Sequence, residues 1–170
     1  MGVTTYGART RRALIYKDAN TFWCGIGGTA AWTNEAAPPS PSPATTALDT
    51  PIVYVSPTTV SLAAPVTSGG SVTINGQQYS LVSDANAVAQ GARYLYLLAR
   101  FDPSTGMPVA NFREFGIFTA LVPMSGHESD PWLAPANVES PGVLEYLSYY
   151  TVQSLGGSNL STIEAIIEFR

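Results

Sequence analysis

From Pro51 onward the chain reads in short runs of alternating or continuous apolar residues, the pattern of β-strands. Ile52 to Val55 and Thr59 to Val66 are rich in β-branched side chains and bounded by prolines, which suits edge or crossover strands. Asn75-Gly76 separates two alternating runs within Ser71 to Leu81 and predicts a two-residue type I′ hairpin. That turn sets Val72 opposite Tyr79 and gathers Val72, Ile74, Tyr79 and Leu81 on one side. Arg93 to Phe101 is apolar on both alternations, with Tyr94, Tyr96 and Leu98 against Leu95, Leu97 and Ala99, and predicts a central strand. Arg113 to Val122 continues similarly after a turn over residues 102–106. Val143 to Gln153 and Ser161 to Phe169 flank Gly156-Gly157-Ser158-Asn159 and predict a C-terminal hairpin. In its last strand Ile163, Ala165, Ile167 and Phe169 share a face, and Glu164 and Glu168 point the other way.

Helix signals are few. Asp84 to Gln90 offers an Asp N-cap, small residues and Gly91 as a stop, which predicts one short helix. There is no internal repeat and no heptad pattern. The first 35 residues are aromatic (Tyr6, Tyr16, Phe22, Trp23, Trp32), and four prolines follow in the eight residues from Ala36 to Pro43. Such a stretch is a stiff polyproline-type connector, too short to separate two independent domains. The expected architecture is therefore mainly β: an antiparallel sheet or sandwich, with at most one short helix. It forms a single domain over residues 1–170, with a Pro-rich extended arm over 36–51 that crosses a surface.

The composition agrees. In 170 residues, hydrophobic side chains make up 45% and aromatics 11%, enough for a core, while Gly 15 and Pro 13 disfavour a helical bundle. Charge changes the picture. Only 12% of residues are charged, and no Lys or Arg occurs between Lys17 and Arg93. A surface with so little charge suits a chain that meets other protein over much of its area. The net charge of −4 and a pI near 4.8 exclude a basic nucleic-acid reader. Arg9, Arg11 and Arg12 form a cluster suited to an acidic neighbour. Cys24 is the single cysteine, so no intrachain disulfide forms, and Phe22, Trp23 and Ile26 beside it mark a small buried hydrophobe. No signal-peptide core and no run of about 20 apolar residues is seen, so a cytosol-like site of synthesis is expected and the Asn159-Leu160-Ser161 sequon carries no meaning.

A search for chemistry returns little. Gly25-Ile26-Gly27-Gly28 lacks the Lys-Ser/Thr of a phosphate loop and reads as a tight turn. His127, the single histidine, stands beside Glu128 and Asp130, yet one His and one distant Cys cannot furnish a zinc site. Ser125-Gly126-His127 is adjacency without a triad, and no Gly-x-Ser-x-Gly elbow is present. Glu114, Glu128, Asp130 and Glu145 could converge as a carboxylate pair. Trp23, Trp32 and Trp132 could stack on sugars, or be core anchors. No catalytic, cofactor-binding or metal-ligating residue is assigned, and the chain is expected to be no enzyme.

Two stretches taken together carry a resemblance. Phe22-Trp23-x-Gly25-Ile26-Gly27, then Trp32-Thr33-Asn34-Glu35, then Pro38-Pro39-x-Pro41 form one ordered set. Phe112-Arg113-Glu114-Phe115-Gly116-Ile117-Phe118, Gly142-Val143-Leu144-Glu145-Tyr146 and the closing Ile163 to Phe169 form the second. In this order they resemble structural proteins of tailed bacteriophages, notably baseplate wedge components of contractile-tailed phages. Those relatives commonly begin with a helical segment, whereas here only a short stretch precedes the aromatic-glycine motif. The resemblance implies a non-enzymatic virion subunit of the tail or neck, made in the host cytoplasm. Its partners would be other virion proteins, in multiple copies of a symmetric assembly, with no nucleic acid, membrane or cofactor. The residues it singles out for an assembly interface are Trp23, Gly25, Gly27, Trp32, Pro38, Pro39, Pro41, Arg113 and Glu114. Trp23 and Trp32 would anchor the arm's start, and Pro38 to Pro43 would touch another subunit. A neck or capsid decoration protein, or a carbohydrate-binding receptor-recognition module, are the alternatives.

Overall fold

In a computed structural model, residues 3–156 and 160–170 are described. One helix, α1 (Tyr6–Ala19), precedes β1 (Phe22–Gly27), β2 (Val53–Val55), β3 (Thr59–Val66), β4 (Val72–Ile74), β5 (Gln77–Val82) and β6 (Tyr94–Phe101). Then follow β7 (Ala110–Thr119), β8 (Val122–Pro123), β9 (Trp132–Leu133), β10 (Val138–Ser140), β11 (Val143–Leu155) and β12 (Ser161–Glu168). The fold is mainly antiparallel β, as the alternation predicts. The described residues divide into two compact units: residues 1–20, 58–98 and 163–170 form the first, and residues 21–57 and 99–162 the second.

In the first unit the sheet order is β12-β6-β3-β5-β4. The Asn75-Gly76 hairpin is present, with positive φ at both residues and Val72 opposite Tyr79. Its cluster contains Ala63, Tyr79 and Tyr96, with Val72, Ile74, Leu81, Tyr94, Leu98 and Ile166 packed against it. β6 has neighbours on both sides, as expected of a central strand. So does β3, contrary to the edge or crossover reading. Pro65 is tolerated there because β6 pairs only with Thr59 to Ala63, so no ladder bond is asked of Pro65 on that side.

Three further expectations are corrected. The stretch before the aromatic-glycine motif is a 14-residue helix, α1, capped by the Thr5 hydroxyl, which accepts from the Ala8 N–H at 3.3 Å. Its arginines and small residues leave only Thr10 and Ala13 buried, so no apolar stripe advertises it. Conversely, Asp84 to Gln90 holds one 3-10 turn (Asp84–Asn86) followed by turns rather than a helix. β11 and β12 are not a hairpin either: β11 pairs with β7, and β12 lies beside β6 in the other sheet. Tyrosine hydroxyls explain part of that choice, since Tyr96 and Tyr94 donate to Glu164 and Glu168 of β12 at 3.0 and 3.1 Å. The Gly157-Ser158-Asn159 part of the supposed loop, with the sequon asparagine, lies outside the described residues.

In the second unit the order is β11-β7-β1-β2-β9, beside a two-stranded β10-β8 pair. β1 is buried at every position and β7 at all but its first two, so both faces of the sheet centre are covered. One face carries Trp23 and Phe118, which join Leu48, Tyr54, Leu121 and Leu133 in a cluster. Cys24, Ile26, Phe115 and Ile117 alternate with these and are fully buried.

Candidate functional site: a clamped proline-rich loop

The segment between β1 and β2 leaves the sheet and returns to it. Its ends meet, because the Gly28 N–H donates to the Asp49 carbonyl and the Ile52 N–H to the Ile26 carbonyl. Between them residues 29–48 make a long loop with no strand or helix of its own. Loops of that length hold a shape only when something fastens them. Three fastenings are visible.

The first is on the far part of β11. Between the pairs Tyr149–Glu114 and Gln153–Phe112, β11 has three residues against the single Arg113 of β7. Such a bulge leaves backbone groups without ladder partners. The loop turns to them: the Trp32 indole N–H donates to the Tyr150 carbonyl at 2.8 Å, and the Val152 N–H lies close enough to the Glu35 carboxylate to favour its charged form. Trp32 also packs on Tyr149, with ring centroids 5.0 Å apart. Glu35 accepts from the Trp32 N–H at 3.1 Å and receives Arg113 Nε and Nη2, each at 2.8 Å. Arg113 Nη1 donates to the Thr29 carbonyl at 2.9 Å. The Arg113 guanidinium, with these N–H donors, holds the Glu35 carboxyl below the usual range.

The second fastening uses the next residue along β7. Glu114 points to the opposite face, as strand alternation requires, and accepts from the Asp49 N–H at 2.7 Å. Burial pushes its carboxyl pKa up, against the pull of that hydrogen bond. Gly28, at φ +70°, leaves the space Glu114 fills: a Cβ there would stand 2.6 Å from Glu114 Cγ.

The third is Leu48. Gly25 and Gly116 are register partners on β1 and β7, and a Cβ on either would lie 3.1 Å from a Leu48 methyl. A Cβ on Gly27 would meet Leu48 Cβ, also at 3.1 Å. The three glycines therefore floor a slot that receives Leu48 into the Trp23 cluster.

The exposed crest of the loop is the proline run. Pro39 to Pro43 are exposed and Pro38 half-buried. Pro41, Ser42, Pro43 and Thr45 face Leu144 to Leu147 of β11 across a hollow of about 240 Å³. The proline run thus faces an edge strand of its own sheet across that hollow.

These contacts sort the sequence-derived residues. Trp23, Gly25, Gly27, Arg113 and Glu114 are buried and hold the loop, whereas Trp32, Pro38, Pro39 and Pro41 belong to the loop itself. Leu48, Tyr150 and Val152 were not singled out. A lone leucine in an otherwise small, polar and proline-rich stretch was the available signal for Leu48. The other candidates do not converge on a catalytic arrangement. His127 Nδ1 lies 2.7 Å from Asp130, the Gly126 N–H donates to Glu128, and Glu145 accepts from the Thr119 hydroxyl. Among the described residues no cluster of His, Cys, Asp and Glu suits a metal. Trp132 borders a hollow of about 350 Å³ with Thr105, Asp130, Pro131 and Asn137.

The motifs from Phe22 to Pro41 and from Phe112 to Phe118 thus meet in one physical device, whereas the closing Ile163 to Phe169 belongs to the sheet of the first unit. The comparison with known proteins matches at the scale of the whole chain. A family profile described as "Baseplate wedge 3 tail fiber network component" matches residues 1–169. The chain belongs to this family. Among curated proteins it is similar to Virion protein 3 of Enterococcus phage phiEF24C, at 31% identity over 157 residues covering 86% of this chain and 83% of the relative. The resemblance to phage baseplate structural proteins is borne out, and α1 supplies the leading helical segment whose absence stood against it. Membership makes the chain a virion structural protein of the baseplate class.

Proposed function

We propose that the chain is a non-enzymatic baseplate subunit that docks on neighbouring virion proteins through its proline-rich loop. The observation that carries this is the contrast within residues 29–48. Both ends are fixed by buried side chains of β7, while Pro39 to Pro43 are held out in solvent with no strand or helix of their own. A stiff segment already held in place loses little entropy on docking. In this proposal residues 1–170 act as one structural domain with the arm over 36–51. Its partners are other virion proteins, present in multiple copies, and the protein is made in the host cytoplasm. The buried set Trp23, Gly25, Gly27, Arg113 and Glu114 serves the interface by shaping the loop that Trp32, Pro38, Pro39 and Pro41 present.

Two measurements test it. Gold-labelled antibody on purified particles is expected at the tail tip; label at the neck or head would move the subunit there and discard the baseplate placement. Deleting residues 38–43 is expected to leave the isolated chain folded and to abolish incorporation into particles. Normal incorporation of the deletion variant would overturn docking through the loop.

A second reading rests on Trp132, whose ring borders a hollow that also offers Asp130, Asn137 and Thr105, the mixture of aromatic face and polar groups that suits a sugar. Glycan-array binding lost in Trp132→Ala would favour it, and silence on a broad array would remove it.

A further inference from the structure

The charges of this chain are few, and they are segregated. The first unit carries six of the eight Lys and Arg but four of the twelve Asp and Glu, a formal side-chain charge of +2. The second carries the other two cations and eight acids, a charge of −6. In the first unit every acid is already engaged. Asp18 and Asp84 both hold Lys17 at 2.9 Å, Glu168 meets Arg93 and Arg170, and Glu164 accepts from Tyr96. The positive charge left over sits on α1. Arg11 and Arg12 are exposed, and neither meets an Asp or Glu side chain among the described residues; Arg12 donates to the Arg170 carbonyl at 2.9 Å.

Beside those arginines α1 shows apolar surface. Ile15 is 68% exposed, and an open hollow of about 460 Å³ is bordered by Ile15, Tyr16, Ala19 and Phe169 with Arg12 at its rim. A helix face with two cations that meet no acidic side chain, around an exposed aliphatic side chain, calls for an acidic partner with an apolar centre.

The second unit carries such a surface. From Glu114 to Phe169 the sequence contains no Lys or Arg. Within it β8, β10 and the start of β11 are joined, since Val122 pairs with Ser140 and Val143 with Thr119. Val122, Met124 and Val143 are exposed there, with the exposed carboxylates of Glu139 and Glu145 among them. Glu139 has no partner among the described residues.

We propose that copies of this chain associate head to tail, the basic face of α1 around Arg11, Arg12 and Ile15 docking on the acidic β8–β10 patch around Glu139 and Val143 of the next copy. The two patches differ, so the contact is heterologous and propagates from copy to copy, into a ring or an open series. The inference goes beyond the loop and particle placement above and stands apart from them: a chain that stays monomeric would overturn it and leave gold labelling on particles untouched.

The test is sedimentation velocity of the purified full chain at about 50 mM and about 0.5 M salt, a range over which screening shortens severalfold. At low salt the wild-type chain is expected to form species larger than a dimer as concentration rises, and at high salt to return to monomer. Arg11→Glu with Arg12→Glu should be monomeric at both salts, and so should Glu139→Lys with Glu145→Lys. Mixing the two variants restores the sign match at every contact and should restore the larger species. A monomeric wild-type chain at low salt, an assembly indifferent to salt and reversal, or a mixture that stays monomeric while both variants keep wild-type circular dichroism would each overturn the proposal.

Discussion

Gly25 of β1 lies directly opposite Gly116 of β7, and the room left by their missing side chains is occupied by Leu48 from the far end of a long loop. Two adjacent strands thus give up packing of their own to admit a residue from outside the sheet. Glycine inside a strand ordinarily weakens it, so this pairing makes sense as a receptor for Leu48.

Gly116→Ala should push on Leu144, Phe118 and Leu48 at once, because its Cβ would stand 2.8 to 3.1 Å from all three. Overpacking of that kind costs about 1–3 kcal/mol. Leu48→Ala empties the slot and should cost about 2–5 kcal/mol. Urea unfolding followed by tryptophan fluorescence measures both. A double variant Gly116→Ala/Leu48→Ala should be less destabilised than the sum of the two, since the added methyl fills part of the space vacated. Additive costs would show that the two residues do not share the slot.

Arg113→Met should free the first half of the loop while leaving the Leu48 end seated. The guanidinium holds Glu35 and the Thr29 carbonyl, and without it Glu35 loses its charged partner. Limited proteolysis should then cut within residues 29–47 several-fold faster than in the wild type, before any cleavage in β7 or β11. Unchanged cleavage would mean that Trp32 on Tyr150 suffices to hold this end.

Much of this was legible in the chain and some was not, for physical reasons that differ by residue. The Asn75-Gly76 hairpin was legible because its turn demands positive φ at adjacent residues, which few pairs tolerate. The central place of β6 followed from its doubly apolar alternation. α1 was invisible because it buries only Thr10 and Ala13 and so lacks an apolar stripe. The false β11–β12 hairpin came from proximity in sequence, which says nothing about two strands that each complete a different sheet. Arg113, Glu114 and the glycines could be named as a set from motif order, but not what they do. Their common object, Leu48 and the loop it closes, is a tertiary relationship with no local pattern.

Cys24 should report the opening of the sheet around this loop. It is fully buried on β1, and burial pushes its thiol pKa up to about 12. The thiolate is the reactive form, so labelling of the native chain by a maleimide at pH 7.5 should be negligible and should appear with unfolding. Since Cys24 is the single cysteine, the label count is unambiguous. Rapid native labelling would place β1 in a region that opens locally. Gly116→Ala should raise the native labelling rate if the loop and the strand loosen together.

Acidity should act on the two loop clamps with opposite signs. The Glu35 carboxyl is held below its usual range by Arg113, so its folded pKa is depressed. Its contribution is present above the unfolded value, about 4.3, and is lost as pH falls through the lower folded value. The Glu114 carboxyl is raised by burial, so its contribution is fully present below about 4.3 and is lost as pH rises through the higher folded value. On acidification from neutrality the Glu114 contribution is gained first, in the window just above the usual glutamate range. The Glu35 contribution is lost afterwards, below that range. Urea midpoints across this span, taken as wild type minus variant, isolate each group. Glu114→Gln should remove the gain and leave the fall, and Glu35→Gln should remove the fall and leave the gain. If both variants track the wild type at every pH, neither carboxylate is linked to the stability of the unit that holds the loop.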